Sequence, residues 1–230
     1  MTSLTLAEKL EFLWNDFIAF VNGGVSAKKY PEEILNNFKL VDKRKIKKMS
    51  KDAAFVADCS VCSNNCCTRI DGKILLSLKD LAVLIDNGHQ SSISGSYKGF
   101  ATLLNDYQDN RDVNIFNSDN VTMQDKLSDQ YMPYLKKDGS TCVFLDAENK
   151  CKIHDIKPSA CKSFPHRYDS RNNEILWIDD CGTKGLSLKE NDKDRAIRAI
   201  IDFENERIKD IALIMLNSEN LAKIGYEEYL

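Results

Sequence analysis

Four cysteines within nine residues, Cys59-Ser-Val-Cys62-Ser-Asn-Asn-Cys66-Cys67, constrain this chain more than any other feature. The other four, Cys142, Cys151, Cys161 and Cys181, are spread through a downstream segment that also holds Pro158, Phe164 and Pro165. All eight cysteines of the 230-residue chain fall in these two segments. Met1–Lys9 has no basic stretch leading into an apolar one, so no secretory leader is expected and the expected location is cytoplasmic. In a reducing compartment, clustered thiols hold metal more often than they form disulfides. The working expectation is therefore a metal or metal-cluster protein.

The spacing says something about how the metal would be held. Cys59 and Cys62 form a CxxC, from which two thiolates reach one ion across a tight turn. Cys66 and Cys67 are adjacent, and neighbouring α-carbons lie about 3.8 Å apart with side chains on opposite sides of an extended backbone. Two such thiolates serve two centres more naturally than one, and eight ligands suffice for two four-thiolate centres. Zinc and iron–sulfur clusters both accept this soft donor set. The ferredoxin run CxxCxxC is absent, because three residues separate Cys62 from Cys66. The paired CxxC of a zinc ribbon is absent too, since the downstream gaps are eight, nine and nineteen residues. His154 and His166 lie inside the downstream segment, either as a nitrogen ligand or second-sphere donor or as ordinary, partly exposed polar residues. His89, after Gly88, is expected at the surface.

The remaining composition narrows the partner classes. With 43% hydrophobic and 29% charged residues the chain resembles an ordinary globular protein, and no apolar run reaches the roughly eighteen residues of a membrane span. The formal charge of −3 counts the thiols as neutral, and metal-bound thiolates would make it more negative. Lys150, Lys152, Lys157, Lys162, Arg167 and Arg69 lie near the thiols in sequence and would offset that charge. A nucleic-acid partner is not expected without a basic excess; the one exception, Lys43-Arg-Lys-Ile-Lys-Lys48, reads as a solvated helix face rather than a phosphate-binding patch. A protein partner stays open. No HExxH, Gly-rich phosphate loop or GxGxxG is present.

Along the chain, Thr5 with Glu8 reads as a capping box for a helix carrying Leu10, Leu13, Trp14, Phe17 and Val21, stopped at Gly23-Gly24. A second helix is expected from Pro31, with Ile34, Leu35, Phe38 and Val41 on its apolar face, continuing as far as Met49. Phe12, Trp14, Phe17, Phe20 and Phe38 are read as core. Ile74-Leu75-Leu76 is a strand candidate, and Ser77 with Asp80 opens a helix ended by Gly88. Asn87 to about Gln130 is polar and reads as loop around one short helix at Phe100–Tyr107. Downstream, Cys142–Leu145 reads as a strand, Glu148-Asn-Lys150 as a turn and Cys151–His154 as the return. Pro158 starts a helical turn through Cys161, Glu174–Ile178 is a strand, and a long helix runs from about Asp192 to Asn217.

These motifs resemble the YkgJ-type cysteine-cluster family, described as zinc- or iron-chelating. Its pattern is CxxCxxxCC, then C-x-F-L, then C-x-I-Y-x-x-R-P-x-x-C-R-x-F-P and one more cysteine. Here CSVCSNNCC, CVFL, CKIHDIKPSACKSFP and Cys181 supply a counterpart at every cysteine position, over about Asp58 to Gly182. The chain departs from it at His154 for Tyr, Lys157 for Arg and Lys162 for Arg; lysine keeps the charge without the bidentate fork. The resemblance implies a metal-cluster domain with Cys59, Cys62, Cys66, Cys67, Cys142, Cys151, Cys161 and Cys181 as metal ligands. Similar clusters occur in flagellin lysine N-methylases, which use S-adenosylmethionine and are associated with an iron–sulfur cluster.

The expected fold is a single, mostly α domain with short β-strands, built around the cysteine-ligated metal region. It comprises N-terminal helices (1–57), a cysteine-cluster core (58–185) and a C-terminal helix (186–230). The leading functional expectation is an iron–sulfur protein, [4Fe-4S] in type. A zinc-stapled interaction module and a cluster-bearing, methylase-like enzyme are the alternatives. Ser140–Gly182, poor in large aliphatics, is expected to depend on the metal for its folding.

Overall fold

The structure is a computed structural model describing residues 4–26, 28–30, 38–46, 48–49, 53, 55–57, 67–68, 73–98, 132–169, 172–177, 184–187 and 190–230. Four α-helices stand out among these residues: α1 (Leu6–Val21), α2 (Leu78–Asp86), α3 (Ser159–Ser163) and α4 (Glu190–Leu221). Mostly short strand pairings accompany them. The expectation of a helical protein with short strands agrees with this in outline.

Both predicted capping boxes are formed. Thr5 Oγ1 accepts from the Glu8 amide and the Glu8 carboxylate from the Thr5 amide; Ser77 and Asp80 do the same at α2. Each satisfies amides that the helix itself leaves without a partner. Carboxylates from elsewhere in the chain complete the caps. Asp86, at the end of α2, accepts from the Leu6 and Ala7 amides that open α1 (2.9 and 3.0 Å). Asp210 of α4 accepts from the Leu78 amide of α2 at 3.0 Å, and Asp80 of α2 accepts from the Ser159 amide of α3 at 3.0 Å. Each such contact sets a negative charge or dipole against the positive end of a helix while fixing one helix to another.

α4 is the axis of the molecule. From Ile208 to Ile214 every residue is buried, including Lys209 and Asp210. One core joins Leu10 and Phe17 of α1, Leu78, Leu81 and Leu84 of α2, and Ile211, Leu213 and Ile214 of α4. A second gathers Val41, Tyr168, Ile175 and Trp177 against Ile200, Ile201 and Ile208. The second core is floored by a three-stranded sheet of order β1-β8-β7, with β1 Lys48–Met49, β7 His166–Asp169 and β8 Glu174–Trp177. β7 and β8 form an antiparallel hairpin, and β1 adds to β8 in parallel.

Several expectations are corrected. The helix expected to run on to Met49 does not do so. Phe38–Val41 is already non-helical, a single 3-10 turn follows at Lys43–Lys45, and β1 then leaves for the sheet. Asp42 keeps this stretch from winding into an α-helix: its side chain accepts from the Arg44 amide at 2.9 Å, a local bond that competes with helix propagation. Cationic residues spaced four apart along Lys43–Lys48 would also repel one another in a helix. The basic residues Lys43–Lys45 are solvated as expected, but on a turn, with Lys43 paired to Asp194 and Arg44 to Asp42. Phe12 is not core; it is 64% exposed, on the outer face of α1. Ile74–Leu76 is extended, but Leu75 makes only a bridge, to Tyr134. Ile93–Ser94 (β3), inside the stretch read as loop, pairs with Tyr134–Leu135 (β4). The residues assigned to the start of the second helix (31–37) and to the Phe100–Tyr107 helix lie outside the described residues.

Candidate metal centre

Four of the eight predicted ligands, Cys67, Cys142, Cys151 and Cys161, are described; Cys59, Cys62, Cys66 and Cys181 lie outside the described residues. The Cys142 amide donates to the Cys67 carbonyl at 2.6 Å. That bond closes the long loop between the upstream and downstream cysteine groups. A second closure lies further out. β2 (Phe55–Ala57), ending two residues before Cys59, pairs antiparallel with β9 (Lys184–Ser187), which starts three residues after Cys181. The cysteine-bearing part of the chain is thus pinned where it begins and ends, and again at Cys67.

The downstream thiols sit on compact turns. Cys142 ends β6 (Thr141–Cys142), paired with β5 (Lys137–Asp138) across a tight turn in which Gly139 has a φ of 59°. Positive φ is why glycine suits that corner. The chain then bridges back from Leu145 to Cys151, and Asp146 holds the turn by accepting from the Glu148 and Lys150 amides. Cys161 lies on α3, whose amides at Cys161 and Lys162 donate to the Pro158 carbonyl. Cys142 is buried; Cys67, Cys151 and Cys161 are half-buried, and all four pack at the edge of the first core. An apolar shell on one side and partial exposure on the other is an environment in which thiolates can take up a soft metal while much of the surrounding water is excluded. Among the described residues alone, no three His, Cys, Asp or Glu side chains converge tightly enough to hold an ion.

The histidines separate. His154 is exposed, 3.8 Å from Asp155. His166, read as a ligand or a partly exposed residue, is buried: Nε2 lies 2.9 Å from the Ala53 carbonyl, so that Nε2–H donates, and the ring meets Trp177 edge to face. His89 is half-buried, not at the surface as expected, with its ring edge-on to Phe144.

A buried polar group gathers around Asp210, and of its members the sequence points only to Asp80, as a helix cap. Fully buried Asp210 accepts from the Leu78 amide and, at 3.3 Å, from the Tyr97 hydroxyl, while its Oδ1 has no hydrogen-bond partner among the described residues. Burial, reinforced by the neighbouring Glu206 charge, raises its pKa well above the usual carboxylate range. Burial likewise raises Asp80, against the opposing effect of hydrogen bonds from Ser77 and Ser159. Tyr97 and Tyr226 donate to the Leu76 and Leu78 carbonyls, and burial raises both phenols. The sequence signal is faint: Lys209-Asp210 looks like a polar step in an amphipathic helix. Only the enclosure of α4 on all sides over Ile208–Ile214 buries it.

Taken together, a helical scaffold with half-buried thiols on short turns describes a cysteine-cluster metal-binding domain. A family described as "Putative zinc- or iron-chelating domain", of the CxxCxxCC pattern, matches residues 58–182, more than half of the chain. The chain belongs to this family. The match begins one residue after β2 and ends two residues before β9, so the family unit is the segment that this strand pair closes. No curated protein and no solved structure matches the chain. No described helix is long and apolar enough to cross a membrane.

Proposed function

We propose that the chain carries an iron–sulfur cluster, [4Fe-4S] in type, held by cysteines from both groups. The observation that supports this reading is the Cys142 amide donating to the Cys67 carbonyl, which brings one cysteine of the upstream group against one of the downstream group. The donor set supports it as well: thiolates are the usual ligands of such clusters, and the partly apolar setting of Cys142, Cys151 and Cys161 limits solvent access. Cys59, Cys62, at least one of Cys66 and Cys67, Cys151 and Cys161 would be the metal ligands, four of them on the cluster and the remainder with the other cysteines on a second metal. Such a cluster supplies one-electron chemistry or a rigid cross-link, and the protein's part is to position and shield it.

The test is anaerobic purification followed by iron, zinc and acid-labile sulfide analysis. Iron with equimolar sulfide and visible charge-transfer absorption is the expected result. Colourless protein with stoichiometric zinc overturns it in favour of a zinc-stapled module. Cys62→Ser and Cys161→Ser should each lower the metal content; full retention in both would refute the ligand assignment.

A further inference from the structure

A cleft of about 530 Å³ opens between α2, α3 and α4, and the cysteine reading makes no use of it. Its walls carry four cationic side chains: Lys79 from α2, Lys162 from α3, and Arg195 and Arg198 from α4. Three carboxylates share the lining. Asp80 is buried, with both oxygens occupied by Ser77 and Ser159. Glu206 is mostly buried and held by Lys79 and Lys209, at 3.8 Å each. That leaves Asp202 as the exposed carboxylate facing the cations. Neither Lys162 nor Arg198 has a carboxylate partner among the described residues. Val83, Ile156 and Ala199 supply the apolar part of the wall. The cleft has the size of small-ligand sites, about 300–1,000 Å³, and combines apolar walls with a few convergent charges.

We infer that this cleft binds a small organic anion, through a phosphate or carboxylate group held by Lys162 and Arg198. Guanidinium and ammonium groups on separate elements can close on an anion from two sides, and charge-assisted hydrogen bonds are the stronger kind. α3 carries both Lys162 and Cys161 in adjacent positions, and its start is pinned to α2 through Asp80. An anion held there touches the helix that bears a candidate metal ligand. The site itself is independent of metal identity and of whether the cysteine reading holds.

The experiment is a titration of the full-length protein as purified, followed by amide chemical shifts, with inorganic phosphate and, separately, succinate as probes. At least one probe should bind saturably with a Kd of about 10 mM or tighter, moving amides at Lys79–Val83 and Arg198–Asp202. Phosphate alone would identify a phosphate-bearing ligand, succinate alone a carboxylate. Lys162→Ala with Arg198→Ala should weaken binding about tenfold or more, whereas Lys223→Ala, an exposed lysine outside the cleft lining, should leave it unchanged. Circular dichroism checks that the double variant is folded; if it is not, Arg198→Gln is held to a weakening of at least threefold. The inference is overturned if neither probe saturates, or if the folded variant binds as tightly as the parent.

Discussion

Two neighbouring stretches of the downstream segment hold their shape in different ways. His166–Trp177 is a regular hairpin: four residue pairs from His166↔Trp177 to Asp169↔Glu174, a corner at Asn173 with φ 51°, and Tyr168, Ile175 and Trp177 buried under α4. The Tyr168 hydroxyl donates to the Asn173 side chain at 2.7 Å and closes the corner. Thr141–Ser163 is longer and less regular. It has half of a two-residue strand pair, one bridge at Leu145–Cys151, a 3-10 turn at His154–Ile156 and the five-residue α3. Its buried apolar side chains are few: Cys142, Phe144, Ile153 and Pro158. Ordering each residue costs about 1–2 kcal/mol of backbone entropy, so a stretch with little burial and few ladder bonds needs another source of stability. Three of the candidate ligands lie in it. The expected metal dependence of Ser140–Gly182 therefore divides near Ser163: thiols and metal for the first part, ladder and core for the second.

Removing the metal should break the comparison open, and it is the largest effect expected. Structural zinc in finger peptides is worth about 10–16 kcal/mol, so chelation or cluster loss should expose the amides of Cys142–Cys161 to rapid hydrogen exchange. Amides of Tyr168, Ile175 and the middle of α4 should keep their protection. Equal protection of Cys142–Cys161 with and without metal would show a scaffold that stands without it.

The converse perturbation comes next. Ile175→Ala, at a fully buried position of β8, should destabilise by about 2–5 kcal/mol in urea unfolding while leaving the metal stoichiometry as it was. Loss of metal from the folded variant would mean the two stretches are one unit.

Asp80 joins the helices to the cysteine stretch, since it takes the amide and hydroxyl of Ser159 as well as the Ser77 amide. Asp80→Ala leaves those donors unmatched and should cost about 1–3 kcal/mol, seen as a lower urea midpoint together with faster exchange at Ser159–Ser163. Ser77→Ala, which removes only a cap, should cost about 1 kcal/mol without the effect on α3.

A smaller effect depends on pH. Asp210 has a folded-state pKa above its unfolded value, so the native protein binds the extra proton in the interval between them. Its contribution is therefore most favourable below the ordinary carboxylate pKa of about 4 and is progressively lost as pH rises to the folded value. Asp210→Asn keeps an oxygen for the Leu78 amide and cannot ionise. The slope of stability against pH should be shallower in this variant above about pH 4, and an unchanged slope would remove Asp210 from the account. The smallest effect is expected at Phe12: Phe12→Ser, on an exposed face, should shift stability by less than about 0.5 kcal/mol of folding free energy.

The sequence by itself determined the local elements whose cause is local. Thr5 with Glu8 and Ser77 with Asp80 cap their helices because the partners are three residues apart. Glu174–Trp177 is a strand, and the stripe Ile200, Ile201, Ile208 and Ile211 faces a core, because periodicity alone places them. The family was legible too, since cysteine spacing survives without knowledge of the fold. What the tertiary structure decided are contacts between residues far apart in the chain. Asp210 at the start of α2, Asp86 at the start of α1, the Cys67–Cys142 bond and the β2–β9 pairing each join positions separated by 75 or more residues, and nothing in a local window encodes them. The same holds for the lack of α-helix among the described residues from Phe38 to Met49, where strand pairing and an Asp42 turn override an apolar pattern of the right period. Burial of a charged side chain is a property of what surrounds it, so Lys209 and Asp210 look ordinary in sequence and become the interior of the protein only when other elements close around α4.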